Sequence, residues 1–195
     1  MNMSQTTKRA LEASLKHLLL QKPLDKITIN DIAEDCGINR MTFYYHFKDI
    51  YDLVEWSCYE DAEKALAGNK TYDTWQQGFL QIFDAVKENK PFIVNVYRCV
   101  SREQIEKYLD KVTYKLLIDV VNEAAKDMKT SPHEKEFIAN FYKHAFVGLM
   151  LDWIGDDMKE DPAEIIDRLS KLMQGNFTRA LEAYSIDENT SITGK

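Results

Sequence analysis

The 195-residue chain contains little that breaks a helix and little that staples a fold. Seven glycines and four prolines are few beside its abundant Ala, Leu, Glu and Lys, so the composition favours helices over turns and strands. Cys36, Cys58 and Cys99 are odd in number, far apart and without metal-ligand spacing, which argues against a disulfide framework or a zinc site and fits a reducing cytoplasm. Long apolar runs are also missing. The longest, Ala145 to Leu151, stops at Asp152, whereas roughly twenty residues are needed to cross a bilayer. The opening MNMSQTTKRALEASLKHLLLQ has neither the apolar core nor the cleavage site of a signal peptide, so no membrane association is expected. There is no Gly-rich phosphate loop, no His-Glu-x-x-His and no nucleophile elbow, and His17, His133 and His144 are isolated. An enzyme is not expected, nor is a metal or cofactor.

What is present is a dense set of local signals from Ile27 to Leu53. Thr28 can cap the N–H of Asp31, whose carboxylate can answer back and favour the positive helix N-terminus. Ile29, Ile32, Ala33 and Cys36 recur at helical spacing, and Gly37 follows as the residue that can take positive φ and end the helix. Ile38 can then tuck inward, and Asn39 is an N-cap for a second short helix whose inner face is Phe43 and Phe47. The pattern is a helix-turn-helix. Arg40, Met41, Thr42, Tyr44, Tyr45 and His46 are left facing out, with Lys48 at the end. Such a face suits a DNA major groove: Arg40 can pair with guanine, Met41 or Thr42 can touch a thymine methyl, and the remaining donors suit phosphates.

These residues resemble the tetracycline-repressor-like (TetR/AcrR) family of bacterial transcriptional regulators. The match runs through Thr28, Asp31, Ile32, Ala33, Gly37, Phe43, Tyr44, Tyr45, His46, Phe47, Lys48 and Leu53. Ile50 stands where the family usually has a second lysine that meets a phosphate, so that contact is absent. The resemblance implies double-stranded DNA as partner, with Thr28, Asn39, Arg40, Met41, Thr42, Tyr44, Tyr45, His46 and Lys48 as the contacting residues. It also implies an all-α fold of about nine helices, in which residues 1–50 form a three-helix DNA-binding head and 51–185 an effector-binding and dimerisation body, with 186–195 a flexible tail.

The net charge of −7 is unevenly spread. Residues 1–50 hold seven Lys/Arg and six Asp/Glu, net +1, and the rest hold eighteen and twenty-six, net −8. An acidic body repels DNA and orients the approach through the head, at the cost of weak non-specific affinity. Dimerisation, which doubles the phosphate contacts, is therefore expected.

Along the chain, Gln5 to Leu20 reads as the first helix, with Ala10, Leu11, Leu15, Leu18 and Leu19 forming its apolar stripe and Lys8 or Arg9 offered to phosphates. A helix from Ile50 to about Ala67 links head to body, and Gly68-Asn69-Lys70 breaks it. Helices follow from Tyr72 to Lys87, after Pro91, from Arg102 to Met128, from Ser131 to Gly155 and from Asp161 to Tyr184. The last two carry apolar residues on wide faces, one row for the monomer and one for a neighbour. By resemblance they form a four-helix bundle in a homodimer, with Phe146, Met150, Trp153, Leu169, Met173 and Phe177 as the expected interface. Trp56, Tyr59, Trp75, Phe79, Phe83, Tyr97, Tyr108, Phe141 and Tyr142 are the expected ligand-binding side chains, and an aromatic pocket and a filled aromatic core both satisfy the pattern. The expected activity is a repressor released from a near-palindromic operator by a small-molecule effector. The alternative is a body that answers to a protein partner, as an activator.

Overall fold

Small polar residues stand where the apolar repeats begin, and each starts a helix. In the computed structural model, which describes residues 3–65 and 74–185, the side chains of Thr28, Asn39, Ser101, Ser131 and Asp161 each accept a hydrogen bond from a backbone N–H of the first helical turn. Pro91, Pro132 and Pro162 lie in first turns, where no N–H is missed. The regular elements of the described residues are all helical. They are α1 (Met3–Leu19), a 3-10 turn (Leu24–Lys26), α2 (Ile29–Cys36), α3 (Arg40–His46), α4 (Ile50–Ala65), α5 (Trp75–Glu88), α6 (Lys90–Cys99), α7 (Arg102–Ala124), α8 (Pro132–Gly155), α9 (Pro162–Met173) and α10 (Asn176–Tyr184). The expected break at Gly68-Asn69-Lys70, the start at Tyr72 and the tail 186–195 lie outside the described residues.

The apolar side chains form two connected cores. In the head, Leu11 and Leu15 of α1, Ile32 of α2, Phe43 of α3 and Leu53 and Val54 of α4 are fully enclosed. That core continues into Phe92, Val96 and Val100 of α6 and its flank, Ile105 of α7 and Val147 and Leu151 of α8, so α6 is a shared wall between head and body. The second core is built on the α7–α8 pair, with Leu116, Leu117, Val120, Phe146, Met150 and Trp153 facing Phe79 and Phe83 of α5 and Phe177 and Leu181 of α10. Stacked Phe79 and Phe146, with ring centroids 3.9 Å apart, form its centre.

Two expectations require correction. The helix expected from Asp161 to Tyr184 is two helices: the chain turns at Gln174 and Gly175, where Gly175 takes φ 74°. Met173, Phe177 and Leu181 are four apart and all buried, so the apolar repeat runs straight through the break and conceals it.

The two rows of α8 are also assigned the other way. Phe146, Met150, Trp153, Met173 and Phe177, expected at a dimer interface, are buried inside the monomer, and Leu169 is half-buried against the same core. The outward row is Phe137 (56 % exposed), Phe141 (64 %) and Leu149. A row of residues spaced by four drifts about 40° per step around a helix with 3.6 residues per turn. Four such steps on from Phe137, Trp153 has thus rotated into the core, where its Nε1 donates to Glu160 O at 2.9 Å.

The start of α2 carries an acid-sensitive latch. Thr28 N and Oγ1 both donate to Asp31 Oδ2 at 2.7 Å, Asp31 N donates to Thr28 Oγ1 at 3.2 Å, and Lys22 Nζ approaches the same carboxylate at 2.9 Å. The Lys22 contact, with the two bonds from Thr28, lowers the Asp31 pKa from its ordinary 3.8 to about 2. A depressed carboxylate contributes stability that is present above its unfolded value and is lost as pH falls through its folded one. Asp31→Asn is therefore expected to flatten the fall in melting temperature between about pH 4 and pH 2, measured by circular dichroism across that range; an unchanged acid limb would rule the latch out.

Candidate nucleic-acid interface and body cavity

α3 is held by its ends and by one face. Gly37, at φ 65°, closes α2, and Ile38 N donates back to Ala33 O at 2.9 Å, turning the chain into Asn39. The Asn39 side chain accepts from Met41 N at 2.8 Å and starts α3. Phe43 is wholly buried and Phe47 nearly so, their ring centroids 5.9 Å apart. With both rings inward, the opposite side stands in solvent: Tyr45 is 83 % and Met41 72 % exposed, with Arg40, Tyr44 and Lys48 also exposed and Thr42 and His46 half-buried.

The exposed side is internally ordered. Arg40 Nη2 donates to Tyr44 Oη at 2.9 Å, and its guanidinium lies 5.3 Å from that ring's centre, so one turn carries a stacked cation. Tyr45 and His46 pack edge to face at 5.0 Å. The geometry brings Arg40, Met41, Thr42, Tyr44, Tyr45, His46 and Lys48 onto one short helix and its exit, flanked by Asn39. Thr28 is different. Its hydroxyl hydrogen is committed to Asp31, so it serves the cap of α2 and has no donor left for a phosphate. Lys8 differs likewise, its ammonium lying 5.1 Å over Phe47 and 5.4 Å over Trp56, on the packed side of the head.

At the start of α4 the Lys48 N–H donates to Asp52 Oδ2, and Asp52 N donates to Asp49 Oδ1, both at 2.9 Å. Two carboxylates therefore occupy the helix N-terminus that would otherwise favour an anion. With Ile50 in place of a lysine, Lys48 is the cation at this end.

The body holds an apolar cavity of about 80 Å³ bounded by α4, α5, α6, α7 and α8. Of the expected ligand-binding side chains, Phe79, Phe83, Tyr97 and Tyr108 line it, joined by Phe146 and Met150. Five others lie elsewhere. Trp56 packs on Phe47 in the head, at 5.7 Å between centroids. Tyr59 sits beneath Lys111 and Lys115, at 4.8 and 5.8 Å. Trp75 meets Phe79, Phe146 and Phe177 edge-on in the core, Tyr142 packs on Phe177 at 4.7 Å, and Phe141 faces solvent.

Aromatic content alone gives no sign of the aliphatic liners. Phe79, Ile82, Phe83 and Val86 on α5, and Ile105, Tyr108, Leu109 and Val112 on α7, each follow the i, i+3, i+4, i+7 pattern of a single helix face. That stripe was the available signal. Gly155, at the end of α8, makes room for Tyr97: a Cβ there would lie 3.0 Å from its hydroxyl. Asp61, on α4, also lines the cavity, and its Oδ2 receives Lys16 Nζ of α1 at 2.6 Å, while Lys16 also meets Glu12 at 2.8 Å. A charged bond thus runs from the cavity wall to the first helix of the head. No helix of the described residues is long and apolar enough to cross a membrane.

Comparison with known proteins agrees with both halves. Residues 11–55 match the family model described as bacterial regulatory proteins, tetR family, and residues 73–175 match one described as a transcriptional regulator C-terminal region. The chain is 24 % identical over 178 residues to the HTH-type dhaKLM operon transcriptional activator DhaS of Lactococcus lactis subsp. lactis (strain IL1403), covering 87 % of this chain and 91 % of that protein. It is 25 % identical over 202 residues to the uncharacterized HTH-type transcriptional regulator YerO of Bacillus subtilis (strain 168), covering 92 % of this chain and 68 % of that protein. In fold it is similar to the solved dihydroxyacetone kinase operon activator DhaS, with a TM-score of 0.69 at 20 % identity over 92 % of this chain and 98 % of the other. It is also similar to a tetR-family regulator from Streptomyces coelicolor, with a TM-score of 0.61 at 18 % identity over 96 % and 93 %. These families and relatives are transcriptional regulators, not enzymes.

Recognition and folding should separate by mutation. Tyr45→Ala and Lys48→Ala, both on exposed side chains, are expected to change stability by less than about 0.5 kcal/mol, whereas Phe47→Ala should cost about 3–5 kcal/mol, as measured by urea unfolding.

Proposed function

The chain belongs to the tetR family of bacterial regulatory proteins, and from that premise we propose that it acts as a homodimer whose two copies of α3 enter successive major grooves of a near-palindromic operator. The observation that carries the reading is the face of α3, with Arg40, Met41, Tyr44, Tyr45 and Lys48 exposed while Phe43 and Phe47 hold the opposite side. Arg40, steadied by Tyr44, is the base-reading side chain, and Tyr45, His46 and Lys48 meet the phosphates.

The dimer face we assign is the outward row of α8, Phe137, Phe141 and Leu149, with Leu172 of α9 at 71 % exposure and Tyr184 of α10, whose ring lies 6.4 Å from that of Phe137. These apolar side chains lack cover within the described monomer, and a second copy would supply it.

The protein represses where its operator overlaps a promoter, and an effector in the body releases it. The support is the shared wall: Ile93, Val96 and Tyr97 of α6 line the cavity, and Val96 also belongs to the head core. A molecule that shifts α6 therefore changes the seating of the head, and a differential affinity of about 1–3 kcal/mol between two head spacings suffices for a switch. A second reading has the body answer to a protein partner and the protein activate. The small cavity favours it, as does a relative named as an activator.

Gel shift with the DNA upstream of the protein's own gene tests the first claim. A retarded band that weakens with salt is expected, with roughly tenfold lower affinity for Tyr45→Ala or Lys48→Ala; no band at any salt would overturn it. Phe141→Glu with Leu172→Glu is expected to give a monomer in analytical ultracentrifugation. A flat thermal-shift screen of small molecules, together with a partner captured by pull-down and transcription that rises in vitro, would favour the second reading.

A further inference from the structure

The head is attached to α4 at two places. Near the start of α4, Leu53 and Val54 share the head core with Leu11 and Leu15 of α1, and Lys8 lies 5.4 Å over Trp56. The second attachment is further along, where Lys16 Nζ donates to Asp61 Oδ2 at 2.6 Å and to Glu12 Oε1, one turn back on its own helix, at 2.8 Å. Asp61 stands about 16 Å along α4 from its first residue, Ile50. A helix attached at one point can pivot there, and a second point fixes its angle.

This second attachment is built around one cation. Glu12 is buried, and Lys16 also lies 5.5 Å over the ring of Phe92, so a single ammonium joins α1, α4 and α6. Burial works against that charge, but the hydrogen bonds to Asp61 and Glu12 outweigh it and hold the Lys16 pKa above its ordinary 10.5. Without the ammonium, Glu12 and Asp61 would face each other in a partly dry place, where like charges repel more strongly than in water. Lys64 reaches only the other oxygen of Asp61, at 3.5 Å. The two helices would be pushed apart at that point.

We propose that Lys16 is a positioning residue for operator binding: by drawing Glu12 and Asp61 around one charge it fixes the angle of the head on α4 without itself touching DNA. The inference rests on the reading of α3 as the operator-binding helix of a homodimer. α1 packs on α2 and α3, so a tilt of α1 against α4 carries the recognition helix with it. In a dimer that tilt occurs in both subunits and moves the two recognition helices relative to each other.

The test is gel shift of the full chain, on the DNA upstream of its own gene, with Lys16→Glu, Asp61→Lys and the swap that combines them. Affinities are measured at a temperature where circular dichroism shows each protein folded, so a loss of stability alone leaves them unmoved. The single changes move the net charge in opposite directions, and the swap leaves it at −7. Both single changes are expected to bind roughly tenfold more weakly, although Asp61→Lys makes the chain less acidic. The swap is expected to recover most of that loss, because a cation again lies between two carboxylates. Should a charged variant not fold, Lys16→Met and Asp61→Ala take its place, and both are expected to weaken binding. Unchanged affinities, opposite effects of the two single changes, or a folded swap no better than its parents would each overturn the proposal. No band for the unaltered protein overturns the DNA-binding reading, and this proposal with it; a band that the folded variants leave unmoved overturns this proposal alone.

Discussion

Burial of two phenylalanine rings fixes which way the recognition helix faces. Phe43 lies on a helix seven residues long, too short to be stable by itself in water, and Phe47 is the extended residue that caps its end, with both rings buried. Tertiary packing must therefore supply both its stability and its rotation about its own axis. Once the rings are seated against Leu11, Leu15, Ile32 and Leu53, Tyr45 and Met41 can only point outward. The caps at Thr28 and Asn39 and the left-handed Gly37 set where the helix begins, and the rings set what it presents.

The same packing explains why head and body are not mechanically independent. α6 contributes Phe92 and Val96 to the head core while Ile93, Val96 and Tyr97 bound the cavity. Beside that apolar wall, Lys16 bridges Glu12 and Asp61 and ties α1 to α4 close to the cavity. The link is partly shielded from solvent, so it is screened less than an exposed pair.

Legibility in the sequence followed the range of the interactions. The helix-turn-helix was readable because its signals are local: a cap and its answering carboxylate three residues apart, a glycine at positive φ, two rings four apart. The family, the all-helical fold and most of the α3 face followed from them. Choosing between two apolar rows on α8 was not readable, since Phe137, Phe141 and Leu149 are as apolar as Ile138, Phe146 and Met150, and only the positions of α7 and α10 decide which row is covered. The turn at Gly175 was masked because Met173, Phe177 and Leu181 keep the helical interval on both sides of it. In the body, aromatic content pointed to Trp75, Tyr142 and Phe141, whereas the cavity is drawn largely by aliphatic faces of α5 and α7. Cation placement also escaped: Lys8, expected to be offered to phosphates, lies over Phe47, and Lys16 lies between two carboxylates.

The shortness of α3 limits how much one head can know about a genome. Seven residues at about 1.5 Å each span roughly 10 Å, which is the length of about three base pairs at 3.4 Å apiece. A word of three letters recurs constantly among the roughly 10⁶–10⁹ competing positions of a chromosome. In the homodimer proposed above, an address comes from reading two such words at a fixed separation, and the distance between the heads then carries as much of the message as the side chains on them.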